Sequence, residues 1–336
     1  MTIGWLSFPP NAFNAIVGIY ALLLFATVFT ATWQAIAPEK DLRELATRIK
    51  TWWIMITTVV IALGSATAWL PAPFVLFGFI SFIALKEFLS MVPTRQIDRP
   101  VYIVMYLAIP FQYYFASRLM HHGLFQMAIF VYAIPLVVLK LLMHQRTEGF
   151  VNACGMAFLG MWVAIYSPSH IARFFALPEA ANPAGGAIGL VLFVIILTQG
   201  NDVAQYIWGK TLKRFTGGHT IVPLVSPNKT WEGFVGGAVT TSIAAYFLAP
   251  YLTPFSTLGA MALGMIIAVC GFIGDIFVSA IKRDCGVKDA SLFLPGHGGI
   301  LDRIDSLTIV APLYFHLVYY FVYMKGGFVC SAVSCG

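Results

Sequence analysis

Charged residues are scarce in this sequence. Only 10% of its 336 residues are Asp, Glu, Lys or Arg, while 59% are hydrophobic. A soluble domain carries roughly 25% charged residues, and the mean hydropathy here is +0.83. This composition excludes an ordinary soluble protein and predicts a chain that crosses a membrane several times. The net charge of +6 is spread among short loops, which argues against nucleic-acid binding.

Cysteines are also few, and their spacing excludes a typical zinc site. The five stand at positions 154, 270, 285, 330 and 335, without a Cys-x-x-Cys pair or a Cys/His ligand pattern. Cys154 and Cys270 lie in apolar runs and are predicted to pack there. Cys330 and Cys335 lie in the C-terminal tail, where they would form a disulfide only in an oxidising compartment. The N-terminus lacks the basic region of a cleavable signal peptide.

Long apolar runs are abundant. A helix needs roughly 20 mostly apolar residues to span a bilayer. The sequence therefore predicts an all-α, polytopic integral membrane protein with about ten transmembrane helices. They are expected at 12–36, 51–70, 73–91, 101–117, 123–143, 151–167, 187–206, 233–250, 257–281 and 306–324.

Lysines and arginines are divided unequally between the two sides of this arrangement. Threading the spans places 17 of the 20 on one side, which the positive-inside rule makes cytoplasmic. Both termini then lie outside. The charged stretch 38–50 has apolar residues at helical spacing and predicts an amphipathic helix at the cytoplasmic interface, with a partner-docking helix as the alternative.

Concentrated polar chemistry begins only after residue 200. Asp202 lies near the cytoplasmic end of the span 187–206, where an acid is costly unless it is paired or faces water. Either it balances Lys210 or Lys213 at the interface, or it lines a polar cavity.

A second polar block runs from Val225 to Gly237. Ser226 followed by Pro227 is typical of a helix N-cap and first helical position. The free backbone N–H groups of such an end, with Lys229 and the Thr230 hydroxyl, would bind an anion. The block also has glycines on adjacent turns, which allow another helix to pack closely and serve that purpose with or without anion binding: Gly233, Gly236 and Gly237.

The densest charge lies in the third block, from Gly274 to Ser306. Asp275, Ser279 and Lys282 are predicted to share one helix face, and Asp302 and Asp305 to share another. Asp275 and Asp302, brought together from two span ends, suit a Mg²⁺ ion shared with substrate phosphates. The interleaved acids and bases favour a functional site over simple positive-inside anchors: Lys282, Arg283, Asp284, Lys288, Asp289, His297, Asp302, Arg303 and Asp305.

Within this block, the Gly-rich turn at 295–299 lets the backbone approach a ligand closely. His297 either donates to a phosphate there or caps the turn.

The segment from about 187 to 324 resembles the phosphatidate cytidylyltransferase (CDP-diacylglycerol synthase) family. The resemblance rests on Asp202 and Tyr206, on Ser226-Pro-x-Lys-Thr-x-Glu-Gly233 with Gly236-Gly237, on Gly274-Asp275, Ser279, Lys282-Arg283 and Lys288-Asp289, and on the run from Pro295 to Ser306. Two departures leave room for a paralogue with another lipid phosphate as acceptor. The stretch 210–222 is longer than usual, and Gln205 stands where a small or varied residue is often found.

The resemblance implies transfer of CMP from CTP to phosphatidic acid, giving CDP-diacylglycerol and pyrophosphate. It implies Mg²⁺ held by Asp275 and Asp302, with K⁺ as a second cation, and catalytic roles for these acids with Lys282 and Arg283. The expected partners are CTP, phosphatidic acid and membrane lipids, and the close-packing glycines of the second block also allow a homodimer. Substrate-binding roles fall to Asp202, Ser226, Lys229, Thr230, Glu232, Ser279, Lys288, Asp289, His297, Gly298, Gly299, Arg303 and Asp305.

Two rival functions are less consistent with the sequence. A CDP-alcohol phosphotransferase requires an Asp-Gly pair, which is absent. An ion-coupled transporter often has repeated halves with broken helices, whereas the charges here gather at one end of the chain. We therefore divide the chain into an N-terminal transmembrane scaffold, 1–186, and a C-terminal catalytic region, 187–336. The short loops indicate a bacterial inner membrane with the active site on the cytoplasmic side.

Overall fold

The computed structural model describes residues 1–143 and 145–326. In these ranges the protein is helical apart from two short hairpins, and nine helices are long and apolar enough to cross a membrane. The predicted all-α membrane architecture is confirmed. These nine are Pro10–Ile36, Arg43–Gly64, Pro71–Met91, Leu119–Leu142, Phe150–Ala176, Gly186–Thr216, Trp231–Leu252, Thr257–Asp284 and Leu307–Met324.

The elements follow one another with short connections. The α-helices are α1 (Pro10–Ile36), α2 (Arg43–Gly64), α3 (Pro71–Met91), α4 (Val101–Ala116), α5 (His122–Met127), α6 (Ile134–Leu142), α7 (Phe150–Met161), α8 (Ser167–Arg173), α9 (Gly186–Thr216), α10 (Trp231–Leu252), α11 (Thr257–Asp284), α12 (Leu301–Ile304) and α13 (Leu307–Val318). π-helical turns join α5 to α6 and α7 to α8 and extend α13 to Met324. The hairpins pair β1 (Thr2–Ile3) with β2 (Leu6–Ser7), and β3 (Thr220–Val222) with β4 (Ser226–Thr230).

The fourth predicted span, 101–117, forms a shorter helix than the others. α4 has 16 residues. Its C-terminal carbonyls are capped by Arg173, whose side chain is fully buried at the end of α8 and donates to the carbonyls of Phe115, Ala116, Arg118 and Leu119. A buried guanidinium with several neutral acceptors spreads its charge over the helix end, where the negative pole of the helix dipole favours a cation.

The stretch 38–50 is helical only from Arg43 onwards, so the predicted helix start at 38 is wrong. Residues 37–42 are non-helical, and residues 43–50 are the first turns of α2, which continues into the membrane segment predicted to begin at 51. The amphipathic spacing was real, but it marked the polar start of a span. Asp41 accepts a hydrogen bond from the backbone of Arg43 at 3.0 Å and helps to start this helix.

The predicted N-cap at Ser226 is also wrong. Ser226 lies in β4, where it pairs with Val222 of β3. The helix begins four residues later, because Thr230 is the N-cap of α10 and its side-chain oxygen accepts a hydrogen bond from the N–H of Gly233 at 3.1 Å. Pairing in the hairpin prevails over the local Ser-Pro signal.

The glycines of α10 pack against α9, as predicted. A Cβ at Gly233 would lie 2.6 Å from the carbonyl oxygen of Gln205, and one at Gly237 would lie 2.4 Å from the Gln205 side chain. α11 approaches α10 equally closely, since a Cβ at Gly264 would lie 2.6 Å from that of Ala245. Small residues allow three helices that carry polar groups to meet almost backbone to backbone.

The cysteines play a packing role where the structure describes them. Cys154, Cys270 and Cys285 are free thiols of intermediate burial, and the runs around Cys154 and Cys270 belong to the apolar core. Cys330 and Cys335 lie outside the described residues.

Candidate active site

The polar residues of the second half meet where α9, α10, α11 and α12 come together. Lys229, at the end of β4, reaches across to α11, and its Nζ lies 2.6 Å from Oδ2 of Asp275. It also donates to the side chain of Gln205 on α9 at 3.1 Å. Ser279, one turn along α11, donates to the other oxygen of Asp275 at 3.3 Å, which confirms the predicted polar face.

Three acids surround the Lys229 ammonium group. Burial lowers the pKa of Lys229, but the negative charges of Asp275 and Asp202, with Asp305 beyond them, outweigh burial and raise the pKa above its ordinary value. Asp202 therefore belongs to the same buried polar cluster as Lys229. The alternative pairings are not formed among the described residues, since no ion pair joins Asp202 to Lys210 or Lys213, and Lys210 donates to the hydroxyl of Tyr206 at 3.4 Å.

Asp305 is the acid least able to ionise in this arrangement. Burial raises the pKa of its carboxyl from 3.8 to about 8, and repulsion from Asp275 and Asp202 adds to the rise. One oxygen accepts a hydrogen bond from the backbone of Ser306 at 2.7 Å. The Ser306 hydroxyl donates to Oδ2 of Asp202 at 3.1 Å, so Ser306 links the two acids.

A second ion pair lies beside the first. Lys282, on α11, places its Nζ 2.8 Å from Oδ1 of Asp302, and both side chains are buried. The other oxygen of Asp302 accepts hydrogen bonds from the backbone of Ala290 and Gly299, each at 2.9 Å. Asp302 therefore faces its own loop, while Asp305 faces the acids of α9 and α11. The prediction that Asp302 and Asp305 share one face is wrong.

The Gly-rich turn has the backbone geometry expected of it. Gly296 and Gly298 have φ of +75° and +81°, a region that favours glycine. Burial lowers the pKa of His297, and Arg303 and Arg48 lower it further, despite a weak contact with the Pro295 carbonyl at 3.4 Å. A neutral His297 ring held by the turn favours the alternative in which His297 caps the turn over the one in which it binds a phosphate.

The turn is held from outside by the first half of the chain, which sequence reasoning treated as scaffold. On α2, Thr51 donates to the carbonyl of Pro295 at 2.9 Å, and the Trp52 ring meets that of His297 edge-on at 5.5 Å between centroids. On α3, Glu87 accepts hydrogen bonds from the segment 291–301. A buried Glu inside an apolar run was the only signal that could have revealed this residue.

Several predicted substrate-binding residues have other partners. The Thr230 hydroxyl is used to cap α10. Glu232 accepts hydrogen bonds from Thr216 at 2.7 Å and from the His219 ring at 3.1 Å, which ties the start of α10 to the end of α9 and to the residue before β3. Arg283 donates to the carbonyl of Val225 at 3.2 Å and so bridges α11 to the hairpin. The remaining predicted residues outside the acid cluster sit at its edge: Ser226 is half-buried, and Lys288 and Asp289 are exposed.

The acids fit a divalent cation in number and charge. Oδ1 of Asp202 is buried and has no hydrogen-bond partner among the described residues, and the same is true of Nε of Arg303. Mg²⁺ is typically held by one or two carboxylates, with phosphate oxygens and waters completing the shell. Within residues 1–143 and 145–326, no three His, Cys, Asp or Glu side chains are arranged to hold a metal alone, and the Lys229 ammonium occupies one oxygen of Asp275.

The chain belongs to the cytidylyltransferase family, whose sequence profile matches residues 46–321. It is also 38% identical over 315 residues to the uncharacterized protein YnbB of Escherichia coli K12, a similarity that covers 92% of this chain and 99% of that protein. The family match begins after α1 and includes every site element described above.

Relatives named phosphatidate cytidylyltransferase match a shorter stretch. The Haemophilus influenzae enzyme is 37% identical over 138 residues, which cover 40% of this chain and 46% of the enzyme. The Staphylococcus saprophyticus enzyme is 40% identical over 124 residues, covering 37% of this chain and 46% of the enzyme. The chain thus spans about half the length of these relatives, as expected if one part of the molecule carries most of the shared chemistry.

Proposed function

We propose that this protein transfers CMP from CTP to phosphatidic acid, giving CDP-diacylglycerol and pyrophosphate for phospholipid synthesis. The observation that carries the proposal is the pairing of Lys229 with Asp275 and of Lys282 with Asp302 at one end of the helix bundle, in a chain of the cytidylyltransferase family. The relatives named phosphatidate cytidylyltransferase supply the acceptor.

The reaction needs positioning and charge neutralisation more than a protein nucleophile. A phosphatidate oxygen attacks the α-phosphorus of CTP, the bond between that phosphorus and the β-phosphate oxygen breaks, and pyrophosphate leaves. Both substrates are anions, so cations must bring them together. Arg303 is suited to this because its Nε is buried and has no partner among the described residues. Lys229 and Lys282 would exchange part of their carboxylate contacts for phosphate contacts.

Mg²⁺ belongs to the proposal, with Asp275 as its central ligand. When bound, the metal would neutralise negative charge on the triphosphate. Asp202, whose Oδ1 has no hydrogen-bond partner among the described residues, and Asp305 both interact electrostatically with Asp275, which makes them stronger candidates for the second ligand than the sequence indicated. Asp302, the second ligand predicted from sequence, already accepts hydrogen bonds at both oxygens. K⁺ as a second cation rests on the family resemblance alone.

We further propose that the protein resides in a bacterial inner membrane, with the site on the cytoplasmic side. The site lies where α10 begins and α11 ends, beside the loops that carry most of the basic residues. A homodimer was expected from the glycine-rich faces, but Gly233, Gly237 and Gly264 pack against helices of the same chain. A dimer therefore needs another surface.

The test is an assay of the purified protein in detergent with CTP, Mg²⁺ and phosphatidic acid, following both pyrophosphate and lipid product. We expect CDP-diacylglycerol from the wild type and a loss of roughly 10²-fold or more in Asp275→Asn, because electrostatic groups at a reaction centre contribute on that scale. The matched control is Asp284→Asn, an exposed acid at the end of the same helix, which should keep wild-type activity.

The lipid product separates the acceptors. If the wild type releases pyrophosphate only with another lipid phosphate, that lipid is the acceptor in place of phosphatidic acid. The proposed nucleotidyl transfer would then still stand. A folded wild type that consumes no CTP with any lipid phosphate would contradict the proposal as a whole. Equal activity in Asp275→Asn and wild type would remove Asp275 from the mechanism.

A further inference from the structure

Glu87 is a buried acid that belongs to none of the sequence motifs of the site. It lies near the end of α3 and is 4% exposed. Its carboxylate accepts three hydrogen bonds, from the Ser291 hydroxyl at 2.6 Å, the Ile300 N–H at 3.1 Å and the Leu301 N–H at 2.8 Å. In the chain as far as the structure describes it, no lysine or arginine forms an ion pair with Glu87.

The three donors belong to the segment that leads into α12. Two of them are backbone N–H groups at the start of this short helix, where no carbonyl of the preceding turn is available to accept them. Glu87 therefore anchors the end of the segment to a rigid transmembrane helix. Burying an unpaired carboxylate is costly unless hydrogen bonds compensate it, and here all the compensation comes from this one segment.

Asp302 holds the same segment from the opposite side. One of its oxygens accepts the N–H groups of Ala290 and Gly299, and the other accepts from Lys282. Residues 290–301 are thus held between a carboxylate of α3 and a carboxylate of α12. Asp302, the partner of Lys282, is thus bonded to the same segment that Glu87 holds, so a change at Glu87 would reach the ion pair through Asp302.

Gly299 shows how closely the two acids enclose the segment. A Cβ at this position would lie 2.5 Å from Oε2 of Glu87, so any side chain there would displace the Glu87 carboxylate. At Gly298, a Cβ would lie 2.9 Å from Oδ2 of Asp302. Two of the three glycines of the Gly-rich turn, Gly298 and Gly299, therefore leave room for the carboxylates of Asp302 and Glu87.

We propose that Glu87 is a positioning residue for the nucleotidyl transfer, which acts by fixing residues 290–301 and through them Lys282 and Asp302. This inference rests on the proposed function for its kinetic consequence, but its structural consequence can be measured independently. Glu87 extends the site into the first half of the chain.

The test uses Glu87→Gln in the full-length protein. The amide has the size of the carboxylate but only one acceptor oxygen, and it turns an N–H₂ group towards donors. We expect kcat per folded molecule to fall about tenfold, the factor that corresponds to about 1.4 kcal/mol. We also expect faster amide hydrogen exchange over 290–301, with protection elsewhere as in the wild type.

The control is Asp98→Asn. Asp98 is buried to the same degree as Glu87, with 3% exposed, and it forms an ion pair with Arg95 rather than with any residue of the Gly-rich turn. If Glu87 served stability alone, both variants would lower the yield of folded protein and leave kcat per folded molecule unchanged. That outcome would overturn the proposal.

A double-mutant cycle with Ser291→Ala gives a second readout. The Ser291 hydroxyl donates to the Glu87 carboxylate on α3 at 2.6 Å, and Ser291→Ala removes this bond alone from the three that Glu87 accepts. If Glu87 acts through the segment, the effects of Glu87→Gln and Ser291→Ala on kcat will be non-additive, as is usual for residues in contact. Additive effects would contradict transmission through this segment.

Failure of the proposed function would be recognised separately. A wild type without cytidylyltransferase activity would contradict the function, while hydrogen exchange over 290–301 would still report whether Glu87 fixes the segment. Unchanged exchange there in Glu87→Gln would overturn the inference even in an active enzyme.

Discussion

Carboxylates at this site serve two different purposes, and the sequence did not separate them. Asp302 and Glu87 accept hydrogen bonds from backbone groups and hold a loop. Asp202, Asp275 and Asp305 gather around Lys229 and raise its pKa. Sequence spacing could place Asp275 on a polar helix face, because that depends on helix geometry alone. It could not show which oxygens of Asp302 were already used, since that depends on how the loop folds back.

Asp305 gives a pH prediction. Burial and two neighbouring acids raise the pKa of this carboxyl from 3.8 to about 8 in the folded protein. Between these values the folded state binds a proton that the unfolded state releases, so the stabilising contribution is complete below about pH 4 and is lost as the pH rises through about 8. We expect Tm of the wild type in detergent, without divalent cations, to fall as the pH is raised from 5 to 8.

The control for this prediction is Asp305→Asn, which cannot ionise. Its Tm should vary less over the same range, because the neutral side chain fits the site at every pH. An equal slope in wild type and variant would show that other groups govern the pH dependence.

At the scale of single elements, the helices were easier to predict than their ends. Apolar runs of the right length define spans without reference to the rest of the chain, and each predicted span has its helix. The start of α10 was misplaced because Ser226-Pro227 is only a local signal. The residues from Ser226 to Thr230 pair instead with the preceding strand β3, so the helix cannot begin before Thr230. The span of α2 was predicted to begin at residue 51, where the polar residues end. The helix begins at Arg43, because polar residues can form the first turns of a membrane-spanning helix.

The cap of α10 provides a test at this scale. Thr230→Val keeps the shape of the side chain and removes the oxygen that accepts from Gly233. Because N-cap removal costs typically about 1 kcal/mol, we expect a fall of a few degrees in Tm. Thr230→Ser should restore most of it.

The contrasting variant is Ser226→Ala. If Ser226 were the cap, this change would destabilise the protein at least as much as Thr230→Val. The structure predicts a smaller effect, because Ser226 is a half-buried strand residue. Thermal unfolding of the three variants in one detergent decides between the two caps.

The whole molecule differs most from its sequence-based description in how its two halves are related. The division at residue 186 separated a scaffold from a catalytic region. Yet α2 supplies Thr51 to the Gly-rich turn, and α3 supplies Glu87 to the segment 290–301 that contains this turn. Their partners lie more than 200 residues away in the chain. No local pattern specifies such a contact, and in a single sequence only the cost of burying Glu87 in an apolar helix indicated that it had a partner.

The passage of the chain through the membrane is the remaining prediction at this scale, and α4 is its critical element. Its 16 residues extend about 24 Å, less than the roughly 30 Å of a typical hydrocarbon core. The predicted arrangement nevertheless requires α4 to cross, because the positive-inside rule places the segment 92–100 before α4 in the cytoplasm and leaves Arg118 after α4 on the outside. The helix can do so if the bilayer thins locally or if the capped end near Arg173 lies at the outer interface.

Labelling of single cysteines from the two sides of intact cells tests this topology. In a background without the five native cysteines, Arg99→Cys and Arg118→Cys each replace an exposed side chain, one before and one after α4. We expect a membrane-impermeant thiol reagent added outside to label Arg118→Cys and to reach Arg99→Cys only after permeabilisation. Labelling of both positions only after permeabilisation would show that α4 turns back within the membrane, which would change the number of crossings and place the two termini on opposite sides.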